Sequence, residues 1–456
     1  MKNTRKLHQF RQKIYQNFSK RADTVLNLLD SLSSNENASS VAELSLNPAF
    51  ERRALYKAID ELKPDPSLLS QAISAHLPEP SQFPFWLLGV DVTSYSRQFS
   101  RTLADRSVVY QPNQIKGNKP ITFGHRYSTV ALIPSKELTV HPWAIPLSTG
   151  RVASDEDKEL TGAAQINQLM QDESMPFYNQ LSVEVGDTSY SKPAYLAANR
   201  HHTNLVTIAR LRSNRVLYHS PEVSDDPAGP GHPTWYGDRF ALNDSDGWAD
   251  PDLTAETKQT THRGKVYQVE IKAWQQMLMR GKRKPKVIPM HQHPFALVQI
   301  RWLDADGKSL FKKPIWLAVI GERRNELELL DIYQAYLHRS NLEHFFRFAK
   351  QKLLLTAFQT PEIEREENWW QLAHLAYAQL WVARSLAENL PRPWEKYLPQ
   401  MKTPELSPTL VQRDFGRIIR QIGSIATKPK RRGYSPGRQL GTKLDPRPRQ
   451  NIQYAT

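Results

Sequence analysis

The sequence predicts an α/β layer fold flanked by helical regions. Three observations lead there. Between residues 81 and 211 the apolar patterns run three strands, helix, strand, helix, strand. LSVEVGDTSYS alternates cleanly, with Leu181, Val183, Val185 and Asp187 on one face. Both ends of the chain instead carry apolar residues at helical spacing.

Residues 1–80 read as helical and basic. KLHQFRQKIYQNFSKRADTVLNLLDSL places Phe10, Ile14, Phe18, Val25 and Leu29 near helical spacing, and the polar SSNENASS follows. SVAELSLNPAFERRALYKAIDEL then predicts two short helices with Asn47-Pro48 as the turn. Such a pair suits either a DNA-binding head or a plain helical bundle.

PFWLLGVDVTSYS is an apolar run expected to end as a strand at Asp91. SVVYQP and STVALIP predict two more strands, DKELTGAAQINQLMQD a helix, and NLVTIARLRS a strand after LSVEVGDTSYS. Residues 212–312, rich in Pro, Gly and Asp at first, predict a β-rich insertion. Within it YQVEIKA alternates, and FALVQIRWLDADGKSLFKKPIWLAVIG reads as a hairpin turning at Asp306-Gly307. Residues 361–427 are helical and aromatic, and 428–456 form a basic tail with little core-forming potential.

Composition narrows the chemistry. The chain of 456 residues has no cysteine, which excludes disulfides, thiol catalysis and cysteine-rich zinc modules. No apolar run reaches the length of a membrane span, and no apolar segment follows the basic start, so a cytoplasmic protein is expected. The net charge is +15. It concentrates before residue 22, in RGKRKPK (Arg280 to Lys286) and in the tail, the footprint of a surface that tracks phosphates. The histidines, including His291 and His293, show no second pair at zinc-binding spacing.

YLHRSNLEHFFRFAK holds the most informative pattern. At about 100° per residue, Tyr336, Arg339, Glu343, Arg347 and Lys350 fall on one narrow helical stripe, while Leu342, Phe345, Phe348 and Ala349 point elsewhere. A structural ion-pair ladder explains such a stripe by itself. Beside Asp91 and Asp187, however, Glu343 completes a set of three carboxylates. Hard oxygen donors of this kind suit magnesium, and two such ions serve phosphoryl displacement. Read singly, each aspartate is also a good turn cap.

Tyr336, Arg339, Glu343 and Lys350 match the Y-x2-R-x3-E-x6-K signature of DDE transposases from bacterial insertion sequences, and the chain resembles that group over roughly residues 80–360. The order agrees: Asp91 after LLGV, Asp187 after VEVG, then the basic TIARLRSNRVLY, a long gap, and the signature after PIWLAVIG. The resemblance implies a ribonuclease H-like catalytic domain (81–211 and 313–360) interrupted by the β-rich insertion. It implies that Asp91, Asp187 and Glu343 hold two Mg2+ ions, with Mn2+ able to substitute. Tyr336, Arg339, Lys350 and Arg347 would contact DNA. The activity implied is cutting at inverted-repeat ends and joining the 3′ ends to target DNA, by a nucleoid-associated homodimer formed on double-stranded DNA. Relatives that use a DNA hairpin carry a second lysine three positions after the signature lysine. Here that position is Leu353, with Arg347 as the candidate replacement. Trp235, Trp248 and Trp274 are the candidates to stack on a flipped base. A transposase-derived DNA-binding protein without catalysis and a nuclease of the same fold are the alternatives.

Overall fold

The computed structural model describes residues 4–48, 50, 54–111, 120–135, 141–221, 235–261, 264–281, 287–390 and 406–428. Most of the RGKRKPK cluster, His262 and the basic tail beyond Lys428 lie outside the described residues. The chain divides into two compact units: Met1–Pro78 with Val92–Lys158 and Asn341–Thr456, and Glu79–Asp91 with Glu159–Ser340.

The first unit opens with α1 (Thr4–Asn17), α2 (Ala22–Ser33), α3 (Leu55–Glu61) and α4 (Leu68–Ile73). The helical reading of 1–80 therefore resolves into separate pieces, with Arg21 in the left-handed region (φ 51°) between α1 and α2. Leu7, Phe10 and Ile14 make a buried stripe on α1 at helical spacing. Arg11 lies buried beside them, its Nη2 donating to Asp30 Oδ2 of α2 at 2.9 Å.

Strand β1 (Trp86–Ser96) starts in the second unit and ends in the first. Its second half runs beside β3 (Ile121–Leu132), which pairs antiparallel with β2 (Ser107–Tyr110) and β4 (Ile145–Val152). Strand β4 is absent from the predicted pattern. Pro146, which lacks an N–H, hides its alternation, and the residue sits where the register to β3 shifts between Val130 and Ala131.

In the second unit, α5 (Lys158–Gln171) precedes β5 (Ser182–Gly186), α6 (Pro193–Ala198) and β6 (Leu205–Leu211). The first half of β1, β5 and β6 are parallel neighbours, with Gly89 opposite Val185 and Val185 opposite Ile208. Every residue of β5 is buried, as expected of a central parallel strand. The insertion supplies β7 (Val216–Tyr218), β8 (Arg239–Ala241), β9 (Leu253–Thr260), β10 (Val266–Met277) and β11 (Phe295–Leu303). The chain returns through β12 (Ile315–Ile320), antiparallel to both β11 and β6, so β9–β11 extend the sheet beyond β6. The predicted hairpin turns with Gly307 at φ +74°.

The remaining elements are α7 (Leu329–His338), α8 (Ser340–Lys352), α9 (Ile363–Ala383) and α10 (Pro408–Ile422). From Leu372 to Ala383 every residue of α9 is buried, so this helix is the centre of the first unit's core. Helices α1, α2 and α10 and strand β4 pack around it. This mixed α/β architecture, with antiparallel β2, β3 and β4, parallel β1, β5 and β6, a β-rich insertion and helices at both termini, is ribonuclease H-like. Among the described residues no helix is long and apolar enough to cross a membrane.

Candidate active site

Asp91 does not end its strand: it is the sixth of eleven residues in β1. What ends there is the buried run, Trp86 to Val90, after which β-branched and hydroxyl residues carry the strand on, partly exposed. Asp187 is the first residue beyond β5 and caps a short 3-10 turn, Thr188–Ser191. Its Oδ1 accepts from both the backbone N–H and the hydroxyl of Ser189, each at 2.7 Å. The capping role is real, and it engages only one carboxylate oxygen.

The two aspartates belong together. In the parallel register Gly89 lies opposite Val185. Two residues further along each chain stand Asp91, still within β1, and Asp187, just past the end of β5. Tyr190, 1% exposed, records the charge that this concentrates. Its phenol pKa is pushed far up, first by burial and then by the Asp91 and Asp187 carboxylates. Its hydroxyl is buried without a hydrogen-bond partner.

Arg339 stands 3.9 Å from Asp91, Nη1 to Oδ2. The stretch Tyr336 to Lys350 is not one unbroken helix, as its stripe predicts. Helix α7 ends at His338 and α8 begins at Ser340, with Arg339 between them in right-handed conformation. Tyr336, on α7, is 7% exposed.

In the first unit, Glu343 lies in the first turn of α8 and Arg347 one turn on, both exposed. Leu342, Phe345, Phe346, Phe348 and Ala349 bury the opposite face. The Lys350 ammonium donates to Thr93 Oγ1 at 2.6 Å and to the Ser94 carbonyl at 3.3 Å. The signature lysine is thus seated on β1 just beyond Asp91. Position 353 is fully buried Leu353.

The structure therefore gathers Asp91, Asp187 and Arg339 in one unit, and strings Glu343, Arg347 and Lys350 along α8 in the other. Among the described residues no group of three His, Asp or Glu side chains is arranged to hold a metal ion. The aspartate pair fits a hard divalent cation by donor type: two adjacent carboxylates with the second oxygen of Asp187 left open.

Two supporting residues were missed in the sequence. Arg215 Nη2 donates to the carbonyl and hydroxyl of Ser191 at 3.0 and 3.2 Å, tying down the turn that follows Asp187. Tyr190 packs across Gly186, where an added Cβ would lie 2.7 Å from the tyrosine Cβ. Both residues occur in motifs visible beforehand, GDTSY and TIARLRSNRVLY, but neither has a spacing that announces its contact. Of the three tryptophans, Trp274 and Trp248 pack with Phe240 and Trp316, whereas Trp235 is 38% exposed and stacks on His291 at 4.0 Å.

A mixed α/β fold with one aspartate on β1 and a second just beyond β5 is that of a DDE-type nuclease. The family model for the DDE superfamily endonuclease matches residues 13–281, more than half of the chain, and the chain belongs to that family. The matched region contains Asp91 and Asp187 and stops before α7 and α8. No curated protein matches the sequence.

Proposed function

We propose that this DDE-type endonuclease is the transposase of an insertion sequence, cutting DNA at inverted-repeat ends and joining the 3′ ends to a target. The observation that supports this reading is the parallel register of β1 and β5, which runs to two residues before Asp91 and Asp187, with Arg339 3.9 Å from Asp91. Asp91 and Asp187 would hold Mg2+ or Mn2+, with Glu343 as third ligand from α8. A metal held there would supply activation of the attacking oxygen and stabilisation of the leaving one.

The chain's own residues supply the rest. Arg339, its guanidinium 3.9 Å from the Asp91 carboxylate, partly offsets that charge and would contact a DNA phosphate. Lys350, Arg347 and Tyr336 would hold phosphates flanking the scissile bond. Ser189 and Arg215 fix the loop that presents Asp187. Trp235 is the exposed candidate to stack on an extruded base. In this reading residues 81–211 and 313–360 are catalytic, while 1–80 and the basic tail add DNA affinity. The working species is a homodimer on DNA.

The test is cleavage of DNA bearing the element's own ends in Mg2+, followed by strand transfer from precut ends. Asp187→Ala is expected to abolish both while retaining DNA binding. Cutting that survives the substitution sinks the assignment. Cleavage without joined product identifies a simple nuclease. DNA binding without cleavage by the natural chain identifies a non-catalytic derivative.

A further inference from the structure

A second polar concavity lies wholly within the first unit. The outer half of β1, β2, β3 and the end of α8 enclose a cavity of about 710 Å3. Among the described residues three cations line it, Arg126 from β3, Lys158 at the start of α5 and Lys350 from α8, and no Asp or Glu does. Hydroxyls from Thr93 and Ser94 and the ring of Tyr110 complete the lining. Tyr110 is 62% exposed.

Arg126 is the telling residue. Its Nε and Nη2 are buried, and neither has a hydrogen-bond partner. Orphaned buried donors are costly and call for an explanation, a bound ligand or ion among them, and of the arginines among the described residues with such atoms Arg126 has two. A planar fork of N–H groups beside two ammoniums is the arrangement that takes a phosphate. The cavity is much larger than a phosphate requires and falls in the range of ligand pockets. The exposed phenol ring offers a face on which any base can stack.

We propose that this cavity holds one nucleotide of a DNA strand, its phosphate on Arg126 with Lys350 and Lys158, its base against Tyr110. The proposal rests on the DNA-cutting reading above and extends the contact surface from the signature helix onto β2 and β3. Because no metal is involved, it is tested in EDTA by fluorescence anisotropy of the full chain. The probe is a short 5′-fluorescein oligonucleotide, single-stranded and duplex.

Arg126→Met is expected to weaken binding about tenfold and to flatten the slope of log affinity against log salt by about 0.7–0.9, one phosphate contact. Tyr110→Ala is expected to weaken binding at least about fivefold, and Tyr110→Phe, which keeps the ring, to restore it. Tyr110 is exposed, so its variants carry the test even if Arg126→Met fails to fold. Unchanged affinity and slope in Tyr110→Ala and folded Arg126→Met, alongside DNA binding by the natural chain, overturn the pocket and leave the transposase reading standing. A natural chain that binds neither probe at low salt overturns both.

Discussion

His374 carries its burial as a pH dependence. The ring is fully buried; its Nδ1 faces the Trp370 carbonyl at 2.7 Å and must donate, while Nε2 accepts from Thr129 Oγ1 at 3.2 Å. Burial lowers its pKa from 6.5 to about 4. Between those values the unfolded chain binds the proton and the folded chain does not, so stability falls as pH drops from about 6.5 to about 4. The loss attributable to this residue is about 3 kcal/mol at 1.36 kcal/mol per unit. His374→Asn, which keeps a donor toward Trp370 but does not titrate, is expected to flatten that part of the curve. Denaturant melts across this window check it, and a variant with the slope intact would falsify the assignment. At this scale the sequence was legible where a carboxylate follows a buried apolar run, as at Asp91 and Asp187. It was silent on Tyr190, Arg215 and Arg126, whose importance lies in what tertiary packing sets beside them or withholds from them.

At the scale of elements, the strands with strong alternation or long apolar runs were readable, and β4 was not, because Pro146 breaks its pattern. The reading of Tyr336 to Lys350 as one helix was nearly right. Nothing in the apolar spacing marks the single-residue interruption at Arg339, which retains helical dihedrals. Asp91 shows the same limit: hydrophobicity marks where burial stops, and here the strand outlasts it. The insertion follows sheet logic, since β9, the edge strand, is polar and partly or wholly exposed along its length and bears Glu256 and Lys258. Gly124 of β3 is required by close approach, because an added Cβ would sit 2.0 Å from the Tyr95 carbonyl oxygen of β1. Gly124→Ala is therefore expected to lower the melting temperature by several degrees or more, as a core clash of about 1–3 kcal/mol does. A thermal melt at or above that of the natural chain contradicts this pairing of β3 with β1.

At the scale of the molecule, charge and missing cysteines pointed to polyanions and away from thiol chemistry. The division into discontinuous units was invisible to composition. The first unit draws on three separated segments, and its centre, α9, comes late. Asp30, Arg11 and Gln379 form one buried cluster across that distance. A chain stopped after Pro361 is thus expected to leave α1 and α2 without their partner helix. Such a chain should bind hydrophobic dyes and be cut within residues 4–33 by low protease that spares the full chain; equal resistance of the two would reject α9 as the keystone. The same arrangement sets a clock on biosynthesis. The ribosome must add some 350 residues between Asp30 and Gln379. At roughly 5–20 residues per second that takes on the order of tens of seconds. For that interval α1 and α2 hold the Arg11–Asp30 pair with α3 and α4 as neighbours but without α9, their largest packing partner. The first unit can close around its core only after α9 has been made.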